Sequence, residues 1–154
     1  MKFEFWFVGK TTEKYLDEGI QTYLSRIQHH IQAGVKIIPS SKESDSRKIS
    51  EDECRRLLAL LKPTDFLVLL DERGKQFTSI ALSSEIEKWM HGRAKNIVFL
   101  VGGAFGVNDQ VRERAGLILS ASKFTFTHQM IRLILMEQIY RAFSIIKGEK
   151  YHHE

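Results

Sequence analysis

Ser120-Ala-Ser-Lys-Phe-Thr-Phe-Thr127, running directly into His128-Gln-Met-Ile-Arg-Leu-Ile-Leu-Met-Glu-Gln-Ile-Tyr-Arg-Ala-Phe-Ser-Ile-Ile146, sets the architecture of the chain. A loop dense in small and hydroxyl residues feeds a helix too apolar to face water. From Met130 to Ile146 twelve of seventeen residues are apolar, so the helix is expected to be covered on more than one side, by the chain's own core and by a second copy of the chain. On a helical projection Glu137, Gln138, Arg141 and Ser144 share one polar stripe, with Glu137 and Arg141 in the favourable i,i+4 order. Arg132 falls on the opposite, apolar side. A guanidinium keeps its charge and needs an anionic or carbonyl partner there. Two readings stand open for it: an ion pair across a dimer interface, or contact with a ligand or nucleic acid.

The rest of the chain alternates strand-like and helix-like segments, the pattern of an α/β fold with a mainly parallel sheet flanked by helices. A strand is expected over Lys2 to Val8. Tyr15, Leu16, Ile20, Tyr23, Leu24 and Ile27 then follow a helical period. Val35 to Ile38 reads as a second strand, and Pro39 to Ile49 as a polar, exposed loop. Ser50-Glu-Asp-Glu53 has the form of a capping box opening a helix that stops before Lys62-Pro63. Phe66 to Leu70 and Ile97 to Val101 are unbroken apolar strands of the kind covered on both faces, separated by a helix carrying Leu82, Ile86, Trp89 and Met90. A short helix from Asn108 to Gly116 precedes a last strand, Leu117 to Leu119.

At 154 residues and 17.9 kDa the chain suits one domain spanning 1–154. A net charge of +4 and a pI near 9.2 permit an RNA partner without demanding one. The apolar runs fall far short of the roughly 20 residues of a membrane-spanning helix, so no membrane association is expected. Met1 to Val8 alternates like a strand and lacks the features of a signal peptide. The lone Cys54 shares an apolar helical face with Leu57, Leu58 and Leu61 and reads as a core thiol. Together these favour a reducing cytoplasm. No Cys/His cluster has metal-ligand spacing, so no metal is expected, and His29 and His30, near a helix end, read as surface residues.

Three loops follow the last three strands: Asp71-Glu-Arg-Gly74, Gly102-Gly-Ala-Phe-Gly106, and Ser120 to Thr127. In parallel sheets ligands bind beyond the carboxyl ends of the strands, so these loops are expected to share one edge and one ligand. Glycines 102, 103 and 106 would let backbone approach an adenine or ribose. Their spacing is neither GxGxxG nor a phosphate loop, and a tight structural turn explains them equally well. Asp71, Glu72 and Arg73 either orient a ligand or pair with one another in solvent. Tyr151-His-His153 reads as a frayed terminus or, with Lys147 and Lys150, as charge and a stacking ring suited to RNA.

Leu70-Asp-Glu-Arg-Gly74, Phe99-Leu-Val-Gly-Gly-Ala-Phe-Gly106, Leu119-Ser120 through Thr127-His-Gln-Met-Ile-Arg132, Glu137-Gln-Ile-Tyr-Arg-Ala142 and Tyr151-His-His153, in that order, closely resemble the bacterial ribosomal large subunit pseudouridine methyltransferase H family. The resemblance covers essentially the full length. It implies the SPOUT class of S-adenosylmethionine (SAM)-dependent methyltransferases, with a C-terminal trefoil knot, a homodimer, and methylation of N3 of a pseudouridine in 23S rRNA of the assembled ribosome. Matched position by position, it implies SAM contacts at Leu70, Gly102, Ala121, Ser122, Lys123, Phe124, Thr125 and Phe126, with Gly103 alongside. Arg132, Tyr151 and His152 would position the base and assist its deprotonation. Thr127 stands where the family commonly has proline. Rival readings are another SPOUT reaction such as 2′-O-methylation of transfer RNA, a non-catalytic ribosome-binding factor, and a metabolic enzyme using the glycine loop alone.

Overall fold

Residues 1–154, described by a computed structural model, form β1 (Lys2–Val8), α1 (Lys14–Gln28), β2 (Gln32–Ile38), α2 (Ser46–Leu60), β3 (Asp65–Gln76), α3 (Ser79–Met90), β4 (Asn96–Val101), α4 (Asp109–Arg114), β5 (Leu117–Ser120) and α5 (Met130–Ile146). The five strands make one parallel sheet in the order β2-β1-β4-β3-β5. Strand alternation divides the core in two. Phe3, Phe5, Phe7, Val68, Ile97, Phe99 and Val101 face one side, under α1, α3 and α5. Trp6, Val8, Leu67, Leu69, Val98 and Leu100 face the other, under α2 and α4. The central strands are apolar on both faces because both faces are covered. Stacking of Phe5 on Phe99, with ring centroids 5.2 Å apart, joins β1 to β4, and the tilted Phe3–Phe143 pair at 5.4 Å binds the sheet to α5.

α5 lies between α1 and α3 on the sheet, which accounts for the apolar density of its sequence. Arg132 is fully buried and finds its partners in its own chain rather than across an interface. Its Nε donates to His128 O at 3.1 Å, one terminal nitrogen to Gly9 O at 2.9 Å and Thr11 Oγ1 at 3.0 Å, and the other to Val8 O at 2.7 Å. The guanidinium also lies 5.1 Å from the centroid of the Phe7 ring. Gln129 adds a second grip on the same turn, accepting from Thr12 N at 2.9 Å and donating to Lys10 O at 3.0 Å. The end of β1 is thereby fastened to the start of α5.

Several local expectations are corrected. Ser50 and Glu53 form no capping box, because α2 begins at Ser46, where Asp45 accepts the Arg47 N–H at 3.2 Å and caps the helix. The polar loop after β2 is correspondingly shorter. β2 starts at Gln32, three residues before the apolar run, because parallel pairing with β1 extends to Lys2. Asp71 to Gly74 is an excursion within β3 rather than a loop beyond it: Leu70 and Lys75 both stand opposite Leu119. α5 starts at Met130, its first turn held by Thr127, whose Oγ1 accepts from Met130 N at 3.0 Å. His30 is no surface residue; its ring stacks on Phe143 with centroids 5.5 Å apart. Cys54 is fully buried, as its helical face implied.

Candidate functional site

The three segments expected to meet do meet. Leu70 to Arg73, Val101 to Val107 and residues between Leu119 and Ile131 enclose a cleft of about 750 Å³ above the carboxyl ends of β3, β4 and β5, a volume suited to a cofactor-sized molecule. Of the expected donor-binding residues, Leu70, Gly102, Gly103, Ala121, Ser122, Phe124 and Phe126 line it. Lys123 and Thr125 are exposed and outside the lining. Arg132 lies behind the wall, buried. Tyr151 and His152 do not line the cleft of their own chain; they pack on the C-terminal half of α5.

Each wall is held from behind by named side chains. Ser50 Oγ donates to Gly106 O at 3.3 Å, and Cys54 Sγ accepts the Asn108 N–H at 3.3 Å. Between them Glu53 is buried, its Oε2 accepting the Ser41 N–H at 3.1 Å while Oε1 has no hydrogen-bond partner. Burial raises the Glu53 pKa. A Cβ on Gly103 would stand 2.7 Å from that Oε1, and one on Gly102 would stand 3.0 Å from Val107 Cγ1, so both positions admit only glycine without movement of a neighbour. In the third wall Ser120 Oγ donates to Ser122 O at 2.9 Å, and Ser122 Oγ accepts the Phe124 N–H at 3.0 Å, folding the loop on itself.

Asp71 is paired with two arginines of the cleft, Arg73 and Arg112. Asp71 Oδ2 accepts from Arg112, and its Oδ1 accepts the Arg73 N–H at 2.9 Å. Burial alone would raise the Asp71 pKa; the Arg73 N–H and the Arg112 guanidinium outweigh it and hold the carboxyl below its usual value of 3.8. Stability from this group is therefore full above that value and lost as pH falls through the lower folded pKa. Acid unfolding of Asp71→Asn should accordingly show a weaker pH dependence below pH 4 than the parent; superimposable profiles would mean the pair is inert. His128 also lines the cleft, with burial first and the Arg132 charge second holding its pKa below the usual 6.5. The imidazole is neutral at neutral pH.

Around the tail, Glu137 Oε1 accepts from Arg141 Nε at 3.0 Å and from Tyr151 OH at 3.0 Å, and the Tyr151 and Tyr23 hydroxyls lie 3.3 Å apart. Burial, then hydrogen bonding to Tyr23 and Glu137, pushes the Tyr151 phenol well above its usual pKa, so it keeps its proton. Arg141 lies 4.8 Å from the Tyr151 ring centroid and 3.2 Å from His152 Nδ1. Arginine only donates, so Nδ1 accepts and a neutral His152 carries its proton on Nε2. Sequence reasoning had overlooked Arg112 and the inward turn of Glu53. The second was legible as a helical neighbour of Cys54 and Leu57; nothing local marked the first.

A parallel sheet covered on both faces, with a cleft walled by glycine backbone at the carboxyl edge, defines an α/β protein that takes a small ligand at that edge. A family profile described as "Predicted SPOUT methyltransferase" matches residues 1–152. The chain is 45% identical over 158 residues to the "Ribosomal RNA large subunit methyltransferase H" of Parabacteroides distasonis, covering 100% of both chains. It is 43% identical over 155 residues to the protein of that name from Cytophaga hutchinsonii, covering 99% of this chain and 100% of the relative. With that of Geobacter metallireducens it shares 42% identity over 153 residues, 99% of each. The chain belongs to the SPOUT methyltransferase family and is a methyltransferase.

Proposed function

We propose that this protein transfers a methyl group from SAM to N3 of a pseudouridine in 23S rRNA of the assembled ribosome, acting as a cytoplasmic homodimer. The observation that carries this reading is the convergence of Leu70, Gly102, Gly103, Ala121, Ser122, Phe124 and Phe126 on one cofactor-sized cleft, in a chain similar over its full length to ribosomal RNA methyltransferases. The residues suit the donor: glycine backbone lies open to a nucleoside, and neutral His128 adds no positive charge against a sulfonium. When bound, SAM supplies an electrophilic methyl group. The reading includes a trefoil-knotted C-terminal part, supported by the match of residues 1–152 to the SPOUT methyltransferase family.

The chain's own contribution is to bind, orient and handle a proton. Because N3 must be held in line with the donor, positioning supplies much of the rate. Tyr151 retains its proton and serves as an orienting group rather than a base. His152 presents Nε2–H, a donor matched to the negative charge that grows on the imide oxygens as N3 gives up its proton to water. Arg132, with its donors directed at backbone, acts as a positioning residue that holds the 128–132 turn. Tyr151 and His152 lie away from the cleft of their own chain, which supports a dimer in which one subunit's tail serves the other's cleft. Sedimentation tests the dimer: a monomer at assay concentration opposes it.

Tritiated-methyl transfer from SAM to free 23S rRNA, isolated large subunits and joined ribosomes, followed by nucleotide mapping, tests the whole reading. Label at N3 of one pseudouridine, greatest with joined ribosomes, is expected; label on a ribose 2′-oxygen of transfer RNA, or none, refutes it. His152→Ala should slow single-turnover methylation by about 100-fold or more. An unchanged rate across pH would remove His152 from the chemistry.

A further inference from the structure

Phe105 stands at the tip of the loop between β4 and α4 with 56% of its surface exposed, and it packs against no other aromatic ring of the chain. It lines the donor cleft. It also lines a second groove of about 890 Å³ between α2 and α4, so this one ring borders both. The groove has only Leu58 and Phe105 as apolar members; its other walls are hydroxyls, amides and charges, including Ser50, Asn108, Arg47 and Arg55. Arg47, Glu51 and Arg55 recur every fourth residue of α2, on one helical face. Arg47 pairs with Glu51 at 3.1 Å and Arg55 with Asp52, through side chains 85% and 76% exposed. Exposed pairs of this kind contribute little, so either guanidinium can exchange its carboxylate for a phosphate.

We infer that this groove is a subsite for a single-stranded RNA nucleotide adjoining the methylated one, its base stacked on Phe105 and its phosphates met by Arg47 and Arg55. The inference rests on the RNA-methylation reading given above. A target base reaching the donor cleft holds its neighbour at the cleft mouth, where Phe105 stands. The groove's make-up, polar donors around one free ring, matches a single-strand platform. A protein partner would call for an apolar centre, which two such residues do not provide. Glu51 and Asp109 also line the groove and keep its charge near neutral, which disfavours indiscriminate binding of polyanions.

The test is steady-state methylation of ribosomes by Arg47→Gln/Arg55→Gln, Phe105→Leu and Phe105→Tyr, with ultraviolet crosslinking of the wild-type complex read by mass spectrometry. The double variant should raise KM for ribosomes about 10-fold and flatten its salt dependence, by about 0.7 in logarithmic slope per lost phosphate contact. Phe105→Leu should raise KM by about 5- to 100-fold, with Phe105→Tyr restoring it, because stacking needs a ring face. A crosslink from Phe105 to an rRNA base is expected. Unchanged KM and salt slope in the double variant, equal behaviour of the leucine and tyrosine variants, or a crosslink to a ribosomal protein would overturn the subsite while wild-type methylation stands. Absence of methylation by the wild type would instead overturn the function it rests on.

Discussion

Arg132→Ala is expected to lose about 3–5 kcal/mol of stability, from buried carbonyls left unpaired at about 1–3 kcal/mol each together with the cavity opened. The change strands the carbonyls of Val8, Gly9 and His128, whose hydrogen bonds to the guanidinium run from 2.7 to 3.1 Å, and opens a cavity beside Phe7. Burial draws the Arg132 pKa down only to about 10, so the charge persists at neutral pH and its partners matter. Arg132→Lys should recover only part of the loss, since one ammonium cannot span partners on both β1 and α5. Urea unfolding measures this directly. An Arg132→Ala midpoint equal to that of the parent would show that the network does not fasten β1 to α5.

The second large effect is steric. A Cβ on Gly74 would fall 2.6 Å from both C and O of Ile118 and 2.8 Å from the carbonyl carbon of Leu119. These are backbone atoms of β5 and cannot swing aside. Gly74→Ala should therefore push β3 and β5 apart where the 71–74 excursion leaves the ladder, costing about 1–3 kcal/mol. Because Leu70 to Arg73 form one wall of the cleft, SAM affinity by calorimetry should fall at least about tenfold, with a further loss for Gly74→Val. Parent-like affinity in both variants would mean that the wall is independent of the close packing beneath it.

How much of this was legible in the chain differs by element. The unbroken apolar runs at 66–70 and 97–101 announced central parallel strands because burial on both faces leaves no polar alternation. The loops after those strands and the 120–127 segment could be assigned to one edge from strand direction alone. The excursion at Asp71 to Gly74 was not legible, since its cause is the pairing of Leu70 and Lys75 with the same residue of β5, a distant segment. The capping signal at Ser50 misled for a similar reason: Asp45 supplied an earlier cap, and tertiary contacts claimed Ser50 for the glycine loop and Glu53 for the segment after β2. Arg132 was visible as a charge on the apolar side in need of an anionic or carbonyl partner, but that partner was expected across a dimer interface or on a ligand rather than in the chain itself. Which carbonyls depended on β1 ending beside α5, 123 residues away in sequence from Gly9.

The cleft above β3, β4 and β5 is the proposed seat of the methyl donor. Backbone amide hydrogen exchange of the full chain with and without SAM tests it most directly. Slowed exchange is expected at residues 70–74, 101–107 and 119–130. No change on adding SAM, or protection confined to segments outside those three, would contradict it.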